Sequence, residues 1–410
     1  MRLSGTSNGV PLFYSMRLGA LEDSGVLLVG QGDRFGRICL GKGVGHGQDA
    51  AMRKVFIAIP FLLLNEVWAG EVSMARERWE APETAVFREH RGRAAMELKG
   101  GVAVLKETVF RDGTIEFDLE PLGAMGPGVG FRRRDAETYE YFYLRPAKAA
   151  TAWDGCQYAP VFRGVLIWDL LPEHQGPAGT REKDWNHVKL VVAGARMKVY
   201  VNGELRLEVG ALRGESREGG ILLQGPAIFA NLVIREDETE GLRREPEADT
   251  TAADRRLVRK WEMSEVKDLG ASREVEAADL PGAGATWQPI EAERGGLVNL
   301  TRRLGQPAGR PVVWVRTTIE SDVEQVKRAA LGWNDEVWIF VNGRLVYTGK
   351  NLYRKPELRK EPEGRCALGN GDVDLPLRKG RNEIVVAVAK EIFGWGLVLQ
   401  LADEKGVKLR

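Results

Sequence analysis

The sequence predicts an all-β protein made of two β-sandwich (jelly-roll) domains joined by a charged linker. Short runs of β-branched and aromatic residues alternate with Gly, Asp and Pro turns along most of the chain. Two Asn-Gly pairs, Asn202-Gly203 and Asn342-Gly343, each separate two such runs. Beyond residue 69 the apolar residues follow period two, and no long amphipathic helical pattern interrupts them.

Size and composition narrow the class of protein. A chain of 410 residues is long enough for two or three domains. Its 59 Lys and Arg nearly balance its 58 Asp and Glu, so it lacks the positive field that nucleic-acid binding needs. Cys156 and Cys366 fall in different predicted domains, and with Cys39 they form neither a disulfide framework nor a thiolate cluster. The four histidines never lie two to four residues apart, which argues against a His-based metal site.

Residues 52–69 have the three parts of a secretory signal peptide. A basic start at 52–54 precedes the apolar run VFIAIPFLLL at 55–64, and 67–69 end the segment with Val and Ala at the −3 and −1 positions of a cleavage site. The run is shorter than the roughly 20 residues that span a bilayer. We therefore predict a secreted or periplasmic protein without a membrane span; the alternative interpretation is a buried core helix.

The glycine-rich residues 1–51 precede this segment and show no stable period. Because a signal peptide belongs at the start of a protein, we predict that translation starts at Met52. Residues 1–51 are then an over-extended and disordered start. The run at 26–32 resembles a strand entering a phosphate-binding turn, but the helix and acidic residue of a dinucleotide site do not follow.

The first predicted sandwich covers residues 70–236. Residues 114–120 alternate apolar and acidic side chains, as in a strand with one buried face. Asn202-Gly203 lies between the apolar runs 197–201 and 204–209. Because Asn-Gly readily adopts the two positive φ angles of a type I′ turn, this pattern predicts a β-hairpin.

A charged linker and a second sandwich follow. Residues 237–260 are dense in charges of both signs and nearly free of apolar residues, so they cannot bury a face. Residues 261–410 repeat the strand pattern, with Asn342-Gly343 between the runs 336–341 and 344–347. The sequence therefore predicts a second β-hairpin and a second sandwich.

Several segments of the first domain together carry a resemblance to a known superfamily. They are 128–132 (GVGFR), 139–140, 184–186 (DWN), 201–203 (VNG), 220–224 and 229–232. With these segments the first domain resembles the concanavalin A-like lectin/glucanase superfamily, and within it the branch that includes the 3-keto-disaccharide hydrolase domain and laminin-G-like modules. This resemblance implies a curved jelly roll whose concave face binds sugar, sometimes with a calcium ion. The hydrolase branch usually has an Asn-Ser pair in the glycine strand, where this chain has Gly128-Val129-Gly130.

Four segments of the second domain carry a further resemblance, and they are 331–338, 340–343, 375–377 and 379–383. With these segments the domain resembles the galactose-binding-like β-sandwich that is appended to glycoside hydrolases. The resemblance implies a non-catalytic ancillary module; many such modules bind sugar, and many are only structural.

The densest group of aromatic and polar residues begins at 139–146 (YEYFYLRP). Sugars are recognised by flat aromatic faces and by fixed polar groups. Strand alternation places the tyrosines and Arg145 on one side and Glu140 on the other, so Glu140 lies at a pocket mouth or beside a buried partner such as Arg132. The alternative is an aromatic-rich core with a satisfied salt bridge. We predict Glu140 as a catalytic acid or base, and the predicted substrate-binding residues are Arg132, Tyr143, Arg145, Gln157, Tyr158 and Trp168.

Two other acidic groups are weaker candidates. Glu116, Asp118 and Glu120 have the E-x-D-x-E spacing of retaining laminarinase-type glucanases, and the alternative is the solvated face of an ordinary strand. Asp372 and Asp374 near a turn could contribute to a calcium site. The sequence predicts no other cofactor.

The proline-broken excursion 347–365 between strands of the second domain is long and polar. Long loops on a rigid scaffold often collect binding residues, although an exposed connector is the simpler interpretation. From all these observations we predict an exported carbohydrate-binding protein with glycan on the concave face of the first sandwich. The alternatives are a glycoside-processing hydrolase of the 3-keto-disaccharide type, and a structural or adhesive protein without a small-molecule ligand.

Overall fold

The computed structural model describes residues 70–409, except 125 and 271–272, and backbone strands between residues 3 and 39. The predicted signal peptide at 52–69 lies outside the described residues. The chain divides into two compact units, Met1–Asn65 and Glu66–Arg410. The first unit contains antiparallel strands inside the segment for which the sequence predicts disorder: β1 (Leu3–Ser7), β2 (Val10–Tyr14), β3 (Arg17–Leu18), β4 (Val26–Gln31) and β5 (Arg34–Cys39).

The second unit begins with a sandwich of two antiparallel sheets. Its strands are β6 (Trp79–Glu80), β7 (Val86–His90), β8 (Arg93–Leu98), β9 (Val102–Leu105), β10 (Gly113–Pro121), β11 (Gly128–Asp135), β12 (Thr138–Leu144), β13 (Cys156–Tyr158), β14 (Val161–Phe162), β15 (Val165–Leu166), β16 (Gln175–Gly176), β17 (Asn186–Ala193), β18 (Arg196–Val201), β19 (Glu204–Val209), β20 (Gly220–Gln224) and β21 (Ala227–Glu236). Two 3₁₀ turns lie at Arg76–Arg78 and Trp168–Leu170.

One sheet of this sandwich, the hairpin sheet, has the strand order β19-β18-β17-β10-β21-β8-β7. The other, the tyrosine sheet, has the order β15-β14-β12-β11-β20-β9-β6, with β13 beside β12 and β16 beside β13. Their facing apolar residues form one core, which includes Phe117 and Leu190 from the first sheet and Val129 and Phe142 from the second. Period-two alternation produces this core because it sends every second side chain of each strand inward.

The second sandwich also has two antiparallel sheets. The larger has the order β24-β22-β26-β31-β28-β29 with β23 and β33 beside β26, and the smaller has the order β25-β32-β27-β30. A short helix α1 spans Leu300–Leu304, and 3₁₀ turns lie at Ala277–Asp279, Arg294–Gly296 and Pro356–Leu358. The strands are β22 (Lys260–Met263), β23 (Lys267–Asp268), β24 (Gln288–Glu291), β25 (Val298–Asn299), β26 (Pro311–Ser321), β27 (Gln325–Trp333), β28 (Asp335–Val341), β29 (Arg344–Asn351), β30 (Gly371–Leu377), β31 (Gly380–Ala389), β32 (Gly396–Leu401) and β33 (Val407–Leu409).

Both Asn-Gly pairs form the predicted two-residue turns. Asn202 and Gly203 have φ angles of 54° and 82° and join β18 to β19. Asn342 and Gly343 have φ angles of 50° and 79° and join β28 to β29. Positive φ at both central residues fits a type I′ turn, whose twist matches the strands. The all-β class predicted from the sequence is confirmed, and in the described residues no helix is long and apolar enough to cross a membrane.

The charged stretch 237–260 contains no strand before β22, but both sandwiches hold it in place. The Ala195 amide of the first sandwich donates to the Arg244 carbonyl at 2.9 Å. Gln400 of the second sandwich donates to the Asp254 carboxylate at 2.8 Å. The linker is therefore attached to both neighbouring sandwiches, although most of its residues are exposed.

An apolar cluster joins the two sandwiches to each other. Phe162, Ile167 and Leu170 of the first sandwich pack with Leu297 and Val398 of the second, and all five are buried. Burial of apolar area stabilises such a contact by about 25 cal/mol per Å². The two sandwiches therefore belong to one compact unit.

Candidate functional site

Strand β12 separates its side chains as the alternation predicts. Phe142 and Leu144 point into the core of the first sandwich. Tyr141 and Tyr143 lie on the outer face of the tyrosine sheet, with Tyr139 partly buried beside them. The outer face therefore carries a row of three tyrosine rings.

The rings of this row hold one another in place. Tyr141 and Tyr143 are stacked, with centroids 5.4 Å apart and planes 13° apart. Tyr139 meets Tyr141 edge-on at 5.9 Å. The Tyr141 hydroxyl donates to the Gly126 carbonyl at 2.5 Å. Offset and edge-on pairs are the favoured aromatic geometries, so the row is rigid.

The glycines of β11 make room for this row. A Cβ on Gly130 would lie 2.7 Å from Leu222 Cγ and 3.0 Å from the Tyr139 ring. A Cβ on Gly128 would lie 2.0 Å from the Phe142 carbonyl oxygen. Only glycine fits such close approaches. The two glycines of Gly128-Val129-Gly130 therefore allow the tyrosines to pack closely. This is the segment in which the hydrolase branch usually has an Asn-Ser pair.

Four predicted binding residues form a buried network beneath the outer face. The Arg145 guanidinium donates to the Tyr143 hydroxyl at 2.8 Å, and that hydroxyl donates to Gln157 Oε1 at 2.8 Å. The Gln157 amide donates to the Trp168 carbonyl at 2.6 Å. Arg145 also contacts the faces of the Tyr143 and Trp168 rings, at 5.0 and 5.7 Å. The structure thus brings these four together, with their polar atoms used inside the protein.

Glu140 lies on the opposite, core-facing side of the same strand. Its side chain is 2% exposed, and the Tyr158 hydroxyl donates to its Oε2 at 2.6 Å. That hydroxyl accepts from the Arg213 amide at 2.6 Å, and a Cβ on Gly214 would lie 2.2 Å from the Glu140 carboxylate. Burial raises the pKa of Glu140 above its ordinary value. The structure therefore brings Glu140 and Tyr158 together, but away from Tyr143 and Arg145.

Arg132 is buried and is hydrogen-bonded elsewhere than at Glu140. Its guanidinium donates to the Asp112 carboxylate and to the Gly194 carbonyl, both at 2.8 Å, and to the Arg111 carbonyl at 2.8 Å. Its charge still lowers the pKa of Glu140, although burial of that carboxyl has the larger effect. The Tyr158 hydroxyl, and not Arg132, donates a hydrogen bond to Glu140. Tyr158 is one of the residues that the sequence predicted to bind substrate.

The second sandwich contributes two aromatic residues to the outer face. Tyr353 and Phe393 meet the Trp168 ring edge-on, with centroids at 4.9 and 5.4 Å. We call the resulting surface the aromatic face. Its buried centre is Tyr141, Tyr143, Ala159, Val161, Trp168 and Leu222, and its partly exposed surround is Val102, Val104, Tyr139, Leu166, Tyr353 and Phe393.

Two buried carboxylates fix the loop 390–395 that carries Phe393. Asp169 of the first sandwich accepts from the Gly394 amide at 2.9 Å and from the Asn334 side chain at 3.0 Å. Asp335 of the second accepts from two further amides of this loop, at 2.6 and 3.1 Å. Burial raises the pKa of Asp169 to about 7 and that of Asp335 well above its ordinary value.

Arg365 fixes the segment 347–365, which contributes Tyr353 to the aromatic face. Its guanidinium lies between the rings of Trp153 and Trp168, 4.6 and 4.9 Å from their centroids. It also donates to the Asp154 carboxylate at 3.2 Å. An arginine held between two indoles and a carboxylate gains both cation–π and charge-assisted hydrogen-bond energy.

The aromatic face offers polar groups that have no partner within the described part of the chain. These are the hydroxyls of Tyr139 and Tyr353 and the half-buried Gln224 side chain, which follows Leu222 by two residues on β20. Arg359 covers the Tyr353 ring at 4.7 Å. Sequence reasoning missed Gln224 and Phe393. Period-two spacing from Leu222 could have identified Gln224, whereas no sequence signal distinguishes Phe393.

The acidic E-x-D-x-E motif lies on the hairpin sheet, and its carboxylates are paired. Glu116 accepts from Arg235 at 2.6 Å, and Asp118 accepts from Arg93 at 2.7 Å. Glu120 lies 2.9 Å from a His90 ring nitrogen. Ionic or hydrogen-bond partners therefore occupy all three carboxylates, whereas a retaining glycosidase needs two carboxyl groups that converge on one sugar.

Asp372 and Asp374, the two acidic residues of the predicted calcium site, lie on β30. Asp372 forms an ion pair with Arg328 at 2.8 Å. Within the residues that the structure describes, no three His, Cys, Asp or Glu side chains are placed to hold a metal ion together. Cys156 and Cys366 are buried free thiols, and burial raises the pKa of both.

Fold and site together define a β protein of two packed sandwiches that share an aromatic face. No family model and no curated protein matches the chain. The chain is similar to solved structures at low identity. They include the carbohydrate-binding module CBM66 from Bacillus subtilis (15% identity, 41% of this chain and 93% of that one, TM-score 0.28). The β-glucanase of Bacillus licheniformis (12%, 42% and 100%, TM-score 0.30) and the galectin LEC-6 of Caenorhabditis elegans (12%, 40% and 99%, TM-score 0.25) are others.

Proposed function

We propose that this protein binds carbohydrate on the aromatic face of the first sandwich. The observation that carries the proposal is the set of partly exposed rings of Tyr139, Tyr353 and Phe393 around a buried aromatic centre. Sugars present one face of C–H bonds that packs on such rings, and their hydroxyls need fixed polar partners. The unpaired hydroxyls of the two tyrosines and the Gln224 amide are suited to that role.

The buried network below the face supports the site in this proposal. Arg145 and Gln157 fix Tyr143 and Trp168, and Trp168 positions the two rings contributed by the second sandwich. A site whose residues are locked from beneath needs little ordering when it binds. The predicted binding residues Tyr143, Arg145, Gln157 and Trp168 act here as positioning residues.

The experiment is isothermal titration of the protein with a panel of neutral oligosaccharides. We expect Tyr139→Ala and Gln224→Ala each to weaken binding about fivefold, because aromatic pairs and hydrogen bonds are each worth about 1 kcal/mol. Tyr200→Ala is the matched control, since Tyr200 is a half-buried tyrosine on the hairpin sheet. If no glycan binds, or if the control weakens binding as much as Tyr139→Ala, the proposal fails.

The hydrolase alternative depends on Glu140. Burial raises the pKa of this carboxyl, a property that suits a general acid. The carboxylate is nevertheless enclosed by Tyr158 and the 212–214 segment, on the face away from the exposed rings. Following the same titrations for released reducing sugar distinguishes hydrolysis from binding. Export through the segment 52–69 remains part of the proposal, and N-terminal sequencing of the exported protein tests it.

A further inference from the structure

A separate cavity opens at one end of the larger sheet of the second sandwich. Its volume is about 580 Å³, and it lies where β26 and β28 begin and β29 and β31 end. Leu352 and Leu358 form an apolar part of its wall. Small-molecule sites occupy about 300–1,000 Å³, so this cavity is large enough for a sugar.

Three of the four acidic side chains of the cavity are already paired, and the fourth, Glu391, is exposed. The Arg310 guanidinium donates twice to Glu336, at 2.6 and 3.1 Å. Lys350 donates to Glu274 at 2.6 Å and lies 3.4 Å from Glu336. Asp268 accepts from two backbone amides, both at 3.1 Å. These acids therefore have little capacity left for another cation.

Lys390 lines the same cavity and is left without an anion. Its side chain is 4% exposed, and among the described residues no carboxylate oxygen lies within 4.0 Å of its ammonium group. Asp169 and Asp335 act on it at longer range, and their oxygens accept from the 390–395 loop and from Asn334. A buried ammonium group without a partner is costly, and a bound anion would remove that cost.

We propose that this cavity binds a sugar acid, with its carboxylate on Lys390. The paired side chains Arg310–Glu336 and Lys350–Glu274 offer donors and acceptors together, which is what ring hydroxyls require. The unpaired ammonium distinguishes an acidic sugar from a neutral one. This site is distinct from the aromatic face and does not depend on carbohydrate binding there.

The probes are D-glucuronate, D-glucose and acetate, titrated calorimetrically into the full chain. We expect glucuronate to bind at least tenfold more tightly than glucose or acetate, and Lys390→Met to abolish that preference. Lys379→Met, at an exposed lysine elsewhere in the second sandwich, is the control and should bind as the wild type does. Tyr139→Ala should also leave glucuronate binding unchanged, which separates failure here from failure at the aromatic face.

A second measurement needs no variant. Mass spectrometry after amine-directed labelling of the wild type should show that glucuronate protects Lys355, an exposed lysine that lines the same cavity, and leaves Lys379 unprotected. Equal binding of glucuronate and glucose, or labelling of Lys355 that glucuronate does not change, would overturn the proposal.

Discussion

Each sandwich contains a buried asparagine in the same structural role. Asn186, at the start of β17, donates to the carbonyls of residues 181 and 184 at 2.9 and 3.0 Å and accepts from the Asn202 side chain at 3.0 Å. Asn382, at the start of β31, donates to the carbonyls of residues 378 and 380 at 2.8 and 3.0 Å and accepts from the Asn342 side chain at 2.9 Å. In each sandwich, the buried asparagine thereby links a loop to the adjacent Asn-Gly turn.

Removing either buried amide should destabilise the fold. We expect Asn186→Ala and Asn382→Ala each to lower the free energy of unfolding by about 1–3 kcal/mol, because the loop amides and carbonyls lose their partner. Urea denaturation measures the change, and Gln288→Ala, at an exposed amide, is the control. A midpoint no lower than that of the control would show that the loops do not depend on these side chains.

The sequence predicts the Asn-Gly turns but not their asparagine partners. A positive φ at Asn202 and Asn342 follows from local chemistry, which a single dipeptide reveals. Asn186 meets Asn202 only because β17 pairs with β18, so the contact depends on strand register. Glu140 shows the same limit: alternation places it in the core, but its partner Tyr158 comes from another strand.

At the scale of the elements, the contact that fixes the loop 390–395 of the second sandwich should depend on pH. Asp169, which accepts from its Gly394 amide, has a pKa of about 7 where the ordinary value is 3.8. A carboxyl with a raised pKa favours the folded state while it is protonated, so its contribution to stability falls as the pH rises from about 4 to about 7. His174, buried with its pKa lowered to about 3, acts in the opposite direction as the pH falls below about 6.5.

Asp169→Asn should remove the pH dependence of stability that Asp169 causes and leave that of His174 unchanged. The substituted amide stays neutral, and it can donate to the buried Asn334 Oδ1 atom, which has no hydrogen-bond partner among the residues that the structure describes. We expect the melting temperature of the variant, relative to the wild type, to rise between pH 4 and pH 8, because His174 contributes equally to both proteins. Parallel melting-temperature profiles would show that Asp169 does not titrate in this range.

The segment 347–365 shows what the sequence could not predict about elements. Its polar, proline-broken composition favours an exposed connector. In the structure Tyr353 and Arg365 of this segment contact Trp168, on the other sandwich. Composition describes the segment itself, whereas the contact depends on a partner almost two hundred positions earlier in the chain.

At the scale of the whole molecule, the two sandwiches should unfold together. Leu170 is 3% exposed in the apolar cluster that joins them. We expect Leu170→Ala to cost about 2–5 kcal/mol and to lower a single calorimetric transition. Leu345→Ala, at an exposed leucine of the second sandwich, should change the transition little. Two separated transitions in the wild type would contradict this prediction.

The fold class was predictable because period-two patterning and turn chemistry repeat throughout both sandwiches. The strand that carries the site was predictable for the same reason, since 139–145 alternates so clearly. The second sandwich's share of the aromatic face was not, because Phe393 acquires its place only when two separately patterned domains dock.

The insertion of Arg365 between Trp153 and Trp168 constrains how this protein could be divided for laboratory use. A fragment that stops at residue 236 would leave Trp168 and Leu170 facing water with nothing to cover them. Exposed apolar patches promote aggregation, so a fragment that ends at residue 236 should precipitate under conditions in which the full chain stays in solution. Anyone who wants a minimal reagent from this chain should therefore keep residues 70–409 in one piece.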